Sequence, residues 1–282
     1  MDGEVRDIVD ITLDRIRFYE PSDGYYLAFS GGKDSVVVKA LLDMAGVKYD
    51  AHYNLTTVDP PELVRFIKDV HPDVEIHRPK KSMWELIRGR GFPPNRQVRY
   101  CCGELKERGG KGRVVVTGVR WAESVRRSNT PIIQYAHDSR SKKVAKAREI
   151  FLNLGDDGER RRMVEACIKR KHVFNPIIDW MDDDVWSFIR KHEIPYCSLY
   201  DEGFKRLGCI GCPLTSERQK NKEFMRWPKY QAQYIRVFDE IVEAGHREGR
   251  YIQYKDGVDM FVDWVRRGRT SYYPEGWNDE NQ

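Results

Sequence analysis

The chain has 282 residues, of which 40% are hydrophobic and 33% charged, and its net charge is +5. That length holds one large domain, or a domain with a smaller second lobe, and the composition can build a core. No apolar run approaches the ~20 residues of a membrane helix, and the opening Met1–Asp7 is too acidic and polar for a signal peptide, so a cytoplasmic, non-membrane protein is expected.

In chain order, Val5, Ile8, Val9, Ile11, Leu13 and Ile16 recur at helical spacing and predict a helix over 4–20. Tyr25–Phe29 is a short apolar run that ends in Ser-Gly-Gly, a buried strand entering a tight turn. Asp34–Ala45 predicts a helix closed by Gly46. Tyr49–Asn54 reads as a strand, Pro60–Val70 as a helix, Val74–Arg78 as a strand and Ser82–Arg88 as a helix. Arg113–Gly118 is the clearest buried strand, and Val173–Ile178 is another. Asp182–His192 predicts a helix with acids first and bases last, as its dipole favours. Two further helices are expected near Glu217–Glu243 and Val258–Arg266, and the tail from Tyr272 has the composition of a frayed end. The alternation of strands and helices predicts an α/β fold with a doubly wound, mostly parallel sheet. Ligands of such sheets sit at the carboxyl ends of strands. The expected division is a domain over 1–214, carrying a basic insert at 127–171, and a helical extension over 215–282.

The positive charge is concentrated. Between Arg140 and His172 eleven Lys/Arg accompany five Asp/Glu. Such a run is a solvated face or an insert, or else a contact surface for nucleic-acid phosphates.

The run Ser30-Gly31-Gly32-Lys33-Asp34-Ser35 has the makings of a phosphate loop. Two glycines let backbone N–H groups approach an anion, and the helix that starts there adds its positive end. Ser30 and Ser35 offer hydroxyls, Lys33 offers a charge, and Asp34 suits a helix cap or a magnesium ligand. The alternative is an ordinary strand–turn–helix corner.

Six cysteines are present, and a reduced compartment argues against a disulfide framework. Cys101-Cys102 and Cys209-Ile210-Gly211-Cys212-Pro213 form two tight pairs, which suit metal. Cys167 and Cys197 stand alone and read as free buried cysteines. Phe224, Trp227, Tyr230, Tyr234 and Phe238 recur at helical spacing, as a core or lid face would. Base stacking is the other use of such a face.

Ser30–Ser35 resembles the Ser-Gly-Gly-x-Asp-Ser loop of the adenine nucleotide alpha-hydrolase, or ATP pyrophosphatase, superfamily. Asn54–Glu62, Arg99–Lys106, Thr117–Arg126 and Asn175–Trp180 with Asp184-Val185-Trp186 resemble segments of its phosphoadenylyl-sulfate (PAPS) reductase family. The resemblance covers about residues 25–214. It implies an adenine nucleotide across the strand ends, held by Ser30, Gly31, Gly32, Lys33, Asp34 and Ser35. Thr57, Asp59, Thr117, Gly118, Arg120, Glu123, Ser124 and Arg126 would complete that site, with Lys33, Asp34 and Arg120 as its catalytic groups. Iron–sulfur members pair Cys-Cys with a later Cys-x-x-Cys, which implies a [4Fe–4S] cluster on Cys101, Cys102, Cys209 and Cys212; structural zinc, or no metal, is the alternative reading of those residues.

Two departures from the reductases shape the functional expectation. Reductases carry a nucleophilic cysteine in a Glu-Cys-Gly-x-His tail, and no cysteine follows Cys212 here. Lys33 resembles instead the members that cleave ATP. The expectation is therefore an ATP pyrophosphatase using Mg²⁺ and coupled to sulfur transfer. Its partners would be a sulfur donor such as a cysteine desulfurase and a tRNA or DNA acceptor met through 140–172. The alternatives are an adenylyl-sulfate or PAPS reductase that produces sulfite, and a non-catalytic nucleotide-binding subunit of a larger assembly. The sequence does not indicate an oligomeric state.

Overall fold

In the computed structural model, residues 7–106, 109–135, 172–249 and 252–267 are described. The basic stretch, except His172, lies outside them, as do Cys167 and the tail from Tyr272. Contacts divide the chain into two compact units: 1–53, 62–76 and 109–206 form the first, and 54–61, 77–108 and 207–282 the second. The helices after 214 thus cluster with 77–108, a different division from the expected boundary at 214.

The first unit carries a six-stranded sheet. Its strands are β1 (Tyr25–Ala28), β2 (Tyr49–Asn54), β3 (Glu75–His77), β4 (Val114–Val116), β5 (Ile133–Tyr135) and β6 (His172–Phe174), in the order β3-β2-β1-β4-β6-β5. β1 runs parallel to β2 and β4, with Tyr26 opposite Asp50 on one side and Val115 on the other. β4 runs parallel to β6, and β5 closes the edge antiparallel, Ile133 opposite Phe174. The sheet is mixed and mostly parallel, as the sequence pattern implied. The chain builds outward from β1 to β3, then returns to place β4 on β1's other side. The topological switch therefore lies between β1 and β4, where ligands of open α/β sheets bind.

Among the described residues, the helices of this unit are α1 (Ile8–Phe18), α2 (Lys33–Ala45), α3 (Pro61–Val70) and α6 (Asp182–Lys191). Asp7 caps α1 by accepting the Val9 N–H at 3.1 Å. α2 buries Val36, Val37, Val38, Leu41 and Leu42, which is why its sequence is apolar on nearly every face. With Leu27, Val116, Phe174 and Ile16 these side chains form the core. β6 ends at Phe174 rather than Ile178, because Pro176 has no N–H for the ladder and the chain turns over 176–179. β5 was not anticipated; three residues are too few to show a period.

The second unit contains α4 (Met83–Arg90), α5 (Tyr100–Leu105), α7 (Glu217–Arg226), α8 (Pro228–Arg247) and α9 (Gly257–Arg267). The single helix expected over 217–243 is two helices. Trp227 leaves helical geometry at φ −126° and ψ 70°, and Pro228 starts α8 where a missing N–H costs nothing. Phe224, Trp227, Tyr234 and Phe238 are buried and, with Trp264, make this unit's aromatic core. Buried Glu223 accepts the Gly211 N–H at 2.8 Å and the Gln219 amide at 3.0 Å. No described helix is long and apolar enough to cross a membrane.

Two of these contacts have measurable consequences. Arg15 grips Asp179 with two bonds of 3.0 and 2.8 Å. Burial alone would raise the Asp179 carboxyl, but the guanidinium outweighs it and holds the group below its ordinary value. The pair therefore stabilises the fold above the unfolded carboxylate value of about 3.9, and that contribution is lost as pH falls through the lower folded value. Asp179→Asn should flatten the acid limb of a stability–pH curve; an unaltered limb would refute the assignment. Glu223→Ala leaves the Gly211 N–H buried without its acceptor, and chemical unfolding should report a loss of about 1–3 kcal/mol.

Candidate functional site

The chain leaves β1 at Ala28, and Phe29 donates its N–H to the His52 carbonyl at 2.9 Å. Gly31 follows with φ +70°, and a Cβ there would sit 2.7 Å from Leu63 Cδ1 and 2.8 Å from Ile67 Cδ1. Both the left-handed backbone and the close approach require glycine. Gly32 is the N-cap of α2, extended at φ −78° and ψ 160°. The Ser35 hydroxyl braces the turn: it donates to the Gly32 carbonyl at 2.9 Å and accepts from the Ser30 N–H at 3.2 Å and the Ser30 hydroxyl at 3.1 Å. Both serines thus hold the loop's own shape.

The Lys33 N–H donates to the Tyr200 hydroxyl at 2.8 Å, and the Gly32 N–H reaches Ser30 Oγ at 3.4 Å. Among the described residues, no protein acceptor meets the N–H groups of Gly31, Asp34 and Ser35. A helix N-terminus with three such donors is suited to an anion.

The second edge of the site comes from the end of β4. Thr117 donates its N–H to the Phe174 carbonyl at 3.0 Å and its hydroxyl to Asn175 Oδ1 at 2.5 Å. A Cβ on Gly118 would lie 2.9 Å from the Asp34 carbonyl carbon, so this glycine lets β4 meet the first turn of α2. Arg120 is 2% exposed. Its Nε donates to Asp34 Oδ1 at 2.7 Å, one terminal nitrogen to the Trp180 carbonyl at 3.1 Å, and the other to Asp182 Oδ1 at 2.5 Å. Lys33 Nζ bonds the same two carboxylates, Asp34 Oδ1 at 3.1 Å and Asp182 Oδ1 at 3.0 Å. The result is a neutral quartet of two buried cations and two acids. Burial would raise the Asp182 carboxyl, but the bonds from Lys33 and Arg120 keep it below its usual range. Burial pushes the Tyr200 phenol well up, so it stays neutral.

The structure brings Lys33, Asp34 and Arg120 together at the switch point. Glu123 accepts the Arg120 N–H at 3.1 Å and pairs with Arg127, so it supports the arginine's backbone. Ser124 is exposed between two short 3₁₀ turns, Trp121–Glu123 and Val125–Arg127; the Arg126 side chain lies outside the described set. Sequence reasoning missed Asp182 and Tyr200. Asp182 looked like a helix-start acid. Tyr200 lies 167 residues from its partner Lys33 and carries no local signal.

Thr57 and Asp59 belong to the second unit. Asp59 accepts the Thr56 N–H at 2.6 Å and hydroxyl at 2.8 Å, and Thr57 Oγ1 accepts the Met83 N–H at 2.9 Å. Their oxygens are engaged in holding this turn and the start of α4.

The same unit gathers four cysteines. Cys101 and Cys102 lie on α5, and Cys209 and Cys212 on a turn closed by the Cys212 N–H to the Cys209 carbonyl at 3.2 Å. The Cys101 thiol is pushed up by its hydrogen bond with Cys102, by burial, and by the nearby Cys209 and Cys212. Gly211 has φ +73°, and a Cβ on it would lie 2.7 Å from Phe224 Cζ. Cys209 Sγ lies 3.4 Å from Thr56 Oγ1. The Lys106 ammonium is pushed up, first by Cys209 and then by Asp59 and Cys212. Four sulfur donors with a cation and a hydroxyl beside one of them have the chemistry of a cluster ligand set, while no three of the four sulfur atoms stand close enough together to share a single metal ion. Cys197, in the first unit, is free and buried.

Comparison with known proteins identifies the family of the chain. The phosphoadenosine phosphosulfate reductase domain model matches residues 24–215. An uncharacterized protein of Methanocaldococcus jannaschii is 27% identical over 230 residues, 77% of this chain and 42% of its own length. An adenosine 5'-phosphosulfate reductase of Staphylococcus haemolyticus is 23% identical, covering 64% of each chain. The chain thus spans less than two thirds of the length of these relatives. A solved PAPS reductase of Candida auris, in a phosphate complex, overlays with a TM-score of 0.45 and 18% identity over 73% of this chain and 89% of that one. With well over half of its residues inside the family model, the chain belongs to the phosphoadenosine phosphosulfate reductase domain family.

Proposed function

We propose that the chain binds ATP at the β1/β4 switch and cleaves it between the α and β phosphates, activating an acceptor for sulfur transfer. One observation carries the proposal: amides of Gly31, Asp34 and Ser35 without protein acceptors among the described residues stand beside two buried cations, Lys33 and Arg120. Polyphosphate oxygens fit that combination of oriented N–H groups and fixed positive charge. An acceptor oxygen would attack the α phosphorus and take the AMP moiety, and pyrophosphate would leave with the broken bond's electron pair. Lys33 and Arg120 would neutralise that leaving group. Mg²⁺ would add to this neutralisation, with Asp34 as its protein ligand. A sulfide-level sulfur would then attack the activated atom of the acceptor, and AMP would leave with the electron pair of the bond broken; sulfur arriving as a persulfide would need a thiol to reduce it.

We assign a [4Fe–4S] cluster to Cys101, Cys102, Cys209 and Cys212; when bound it would supply a site for sulfur. Thr56 and Lys106 would steady the Cys209 sulfur. A sulfur donor such as a cysteine desulfurase, and a nucleic-acid acceptor met through 140–172, complete the reading, and reduced thiols suit a cytoplasmic setting. A second reading draws on the staphylococcal relatives named adenosine 5'-phosphosulfate reductase: reduction of a sulfonucleotide to sulfite. Sulfite release with thioredoxin as donor would decide for it.

With Mg²⁺ and ATP, supplied with donor and acceptor, the protein should release pyrophosphate and AMP. Lys33→Ala should lower kcat/KM by about 10²–10³-fold. A wild-type protein that neither binds ATP nor releases pyrophosphate ends this reading. Anaerobically purified protein should contain iron and acid-labile sulfide in equal amounts and absorb broadly in the visible, and Cys212→Ser should lose both. A colourless, zinc-loaded sample would instead establish a structural zinc site.

A further inference from the structure

The charge quartet also bears on how the proposed polyphosphate site admits its guest, a role that rests on the nucleotide-binding proposal. Lys33 and Arg120 have side chains only 7% and 2% exposed, whereas Asp182 is 69% exposed. A single oxygen, Asp182 Oδ1, lies 3.0 Å from Lys33 Nζ and 2.5 Å from an Arg120 terminal nitrogen. An anionic oxygen shared by an ammonium and a guanidinium, presented from the solvent side, has the contacts of a bound phosphate oxygen. Asp34 also bonds both cations, but it follows Lys33 directly on α2 and is part of the loop's own framework. Asp182 comes from another element, the first residue of α6. Tyr200 behaves in parallel. Its hydroxyl accepts the Lys33 N–H at 2.8 Å, at the first residue of α2, and lies 3.3 Å from where a Gly32 Cβ would be. Helix N-termini bind phosphate oxygens with amides of this kind.

We infer that Asp182 and Tyr200 are two further residues of the nucleotide site, which hold with their own oxygens positions that polyphosphate oxygens take. An entering polyphosphate displaces the Asp182 carboxylate from Lys33 and Arg120, and the Tyr200 hydroxyl from the Lys33 amide. Asp182 is then an internal competitor for anions, and affinity reflects the difference between two charge-assisted contacts. It also keeps the two buried cations paired and oriented, so it acts as a positioning residue.

The test is calorimetric binding of inorganic pyrophosphate in EDTA at fixed ionic strength. It uses the full chain, Asp182→Asn and Asp183→Asn. Asp183 is exposed and bonds neither cation, so its variant reports the bare long-range effect of losing one negative charge. Asp182→Asn should bind pyrophosphate about tenfold more tightly than wild type, and Asp183→Asn should stay within about twofold. Tyr200→Phe should shift affinity in the same direction as Asp182→Asn, and by less. Melting temperatures guard against misfolding: pyrophosphate should raise that of Asp182→Asn more than that of wild type. Equal changes in the two aspartate variants, or weaker binding by Asp182→Asn, would overturn the inference while leaving the nucleotide site standing. Failure of all the proteins to bind pyrophosphate would sink the nucleotide site itself, and this inference with it.

Discussion

The first unit depends on one constraint: two cations are held almost out of water at the end of a parallel sheet, and both must be paired. An unpaired buried charge is strongly unfavourable, and removing one partner of such a pair typically costs about 3–5 kcal/mol. Asp34 and Asp182 meet that demand, each with a single oxygen that serves both Lys33 and Arg120. The surrounding geometry reflects it. Asp34 reaches Arg120 because Gly118 has no side chain to hold β4 away from α2. Lys33 is placed by a turn that only glycine can make at position 31. The strand order supplies the rest, since β1 and β4 are neighbours though 85 residues of chain lie between Ala28 and Val114.

What the sequence disclosed and what it withheld divide along a physical line. The parallel strands were legible because buried strands such as Val114–Val116 read as apolar runs closed by turn residues. The strand–turn–helix corner at Ser30–Ser35 was legible because its features are packed into six consecutive residues. Asp182 and Tyr200 were not, because their partners are remote: Asp182 meets Lys33 across 149 positions. The proline that splits α7 from α8 was in plain view, yet the periodicity of Phe224, Trp227, Tyr234 and Phe238 runs through the break and hides it. That periodicity did identify a core face, and those side chains are buried.

The second unit solves a related problem by different means. A Cys-x-x-Cys turn exposes backbone amides and bends sharply, so its own residues cannot complete it. Glu223 takes the Gly211 amide, and Tyr234 donates its hydroxyl to the Ile210 carbonyl at 3.1 Å. Phe224 and Trp264 pack where a side chain at position 211 would be. Lys220, buried near the start of α7, donates to the carbonyls of Trp264 and Val265 at 3.3 and 3.2 Å. These carbonyls belong to the last turn of α9, which lacks intrahelical donors and favours a cation. The polar residues of α7 thus tie α9 and the cysteine turn into one body. The spacing of the cysteines raised the expectation of a metal knuckle but gave no sign of the helices that support this turn, because support of this kind is a tertiary property.

Arginine at position 120 illustrates why charge alone does not describe the first site. Its three nitrogens face three acceptors in different directions: Asp34, the Trp180 carbonyl and Asp182. A lysine carries the same charge but concentrates it on one nitrogen at the end of a flexible stem, and it cannot span that set. The Trp180 carbonyl, buried with its residue, would lose its donor. The contact matters for position as well as energy, because Trp180 is anchored by its indole N–H to Thr12 Oγ1 at 3.0 Å. Thr12 in turn donates to the Ile8 carbonyl at 2.7 Å within α1. The guanidinium is therefore oriented by a chain of hydrogen bonds that ends on α1. Lys33 has no such backing and depends on the two acids for its direction. Of the two cations, Arg120 is therefore the more firmly directed, and the direction of Lys33 is set by the carboxylates of Asp34 and Asp182.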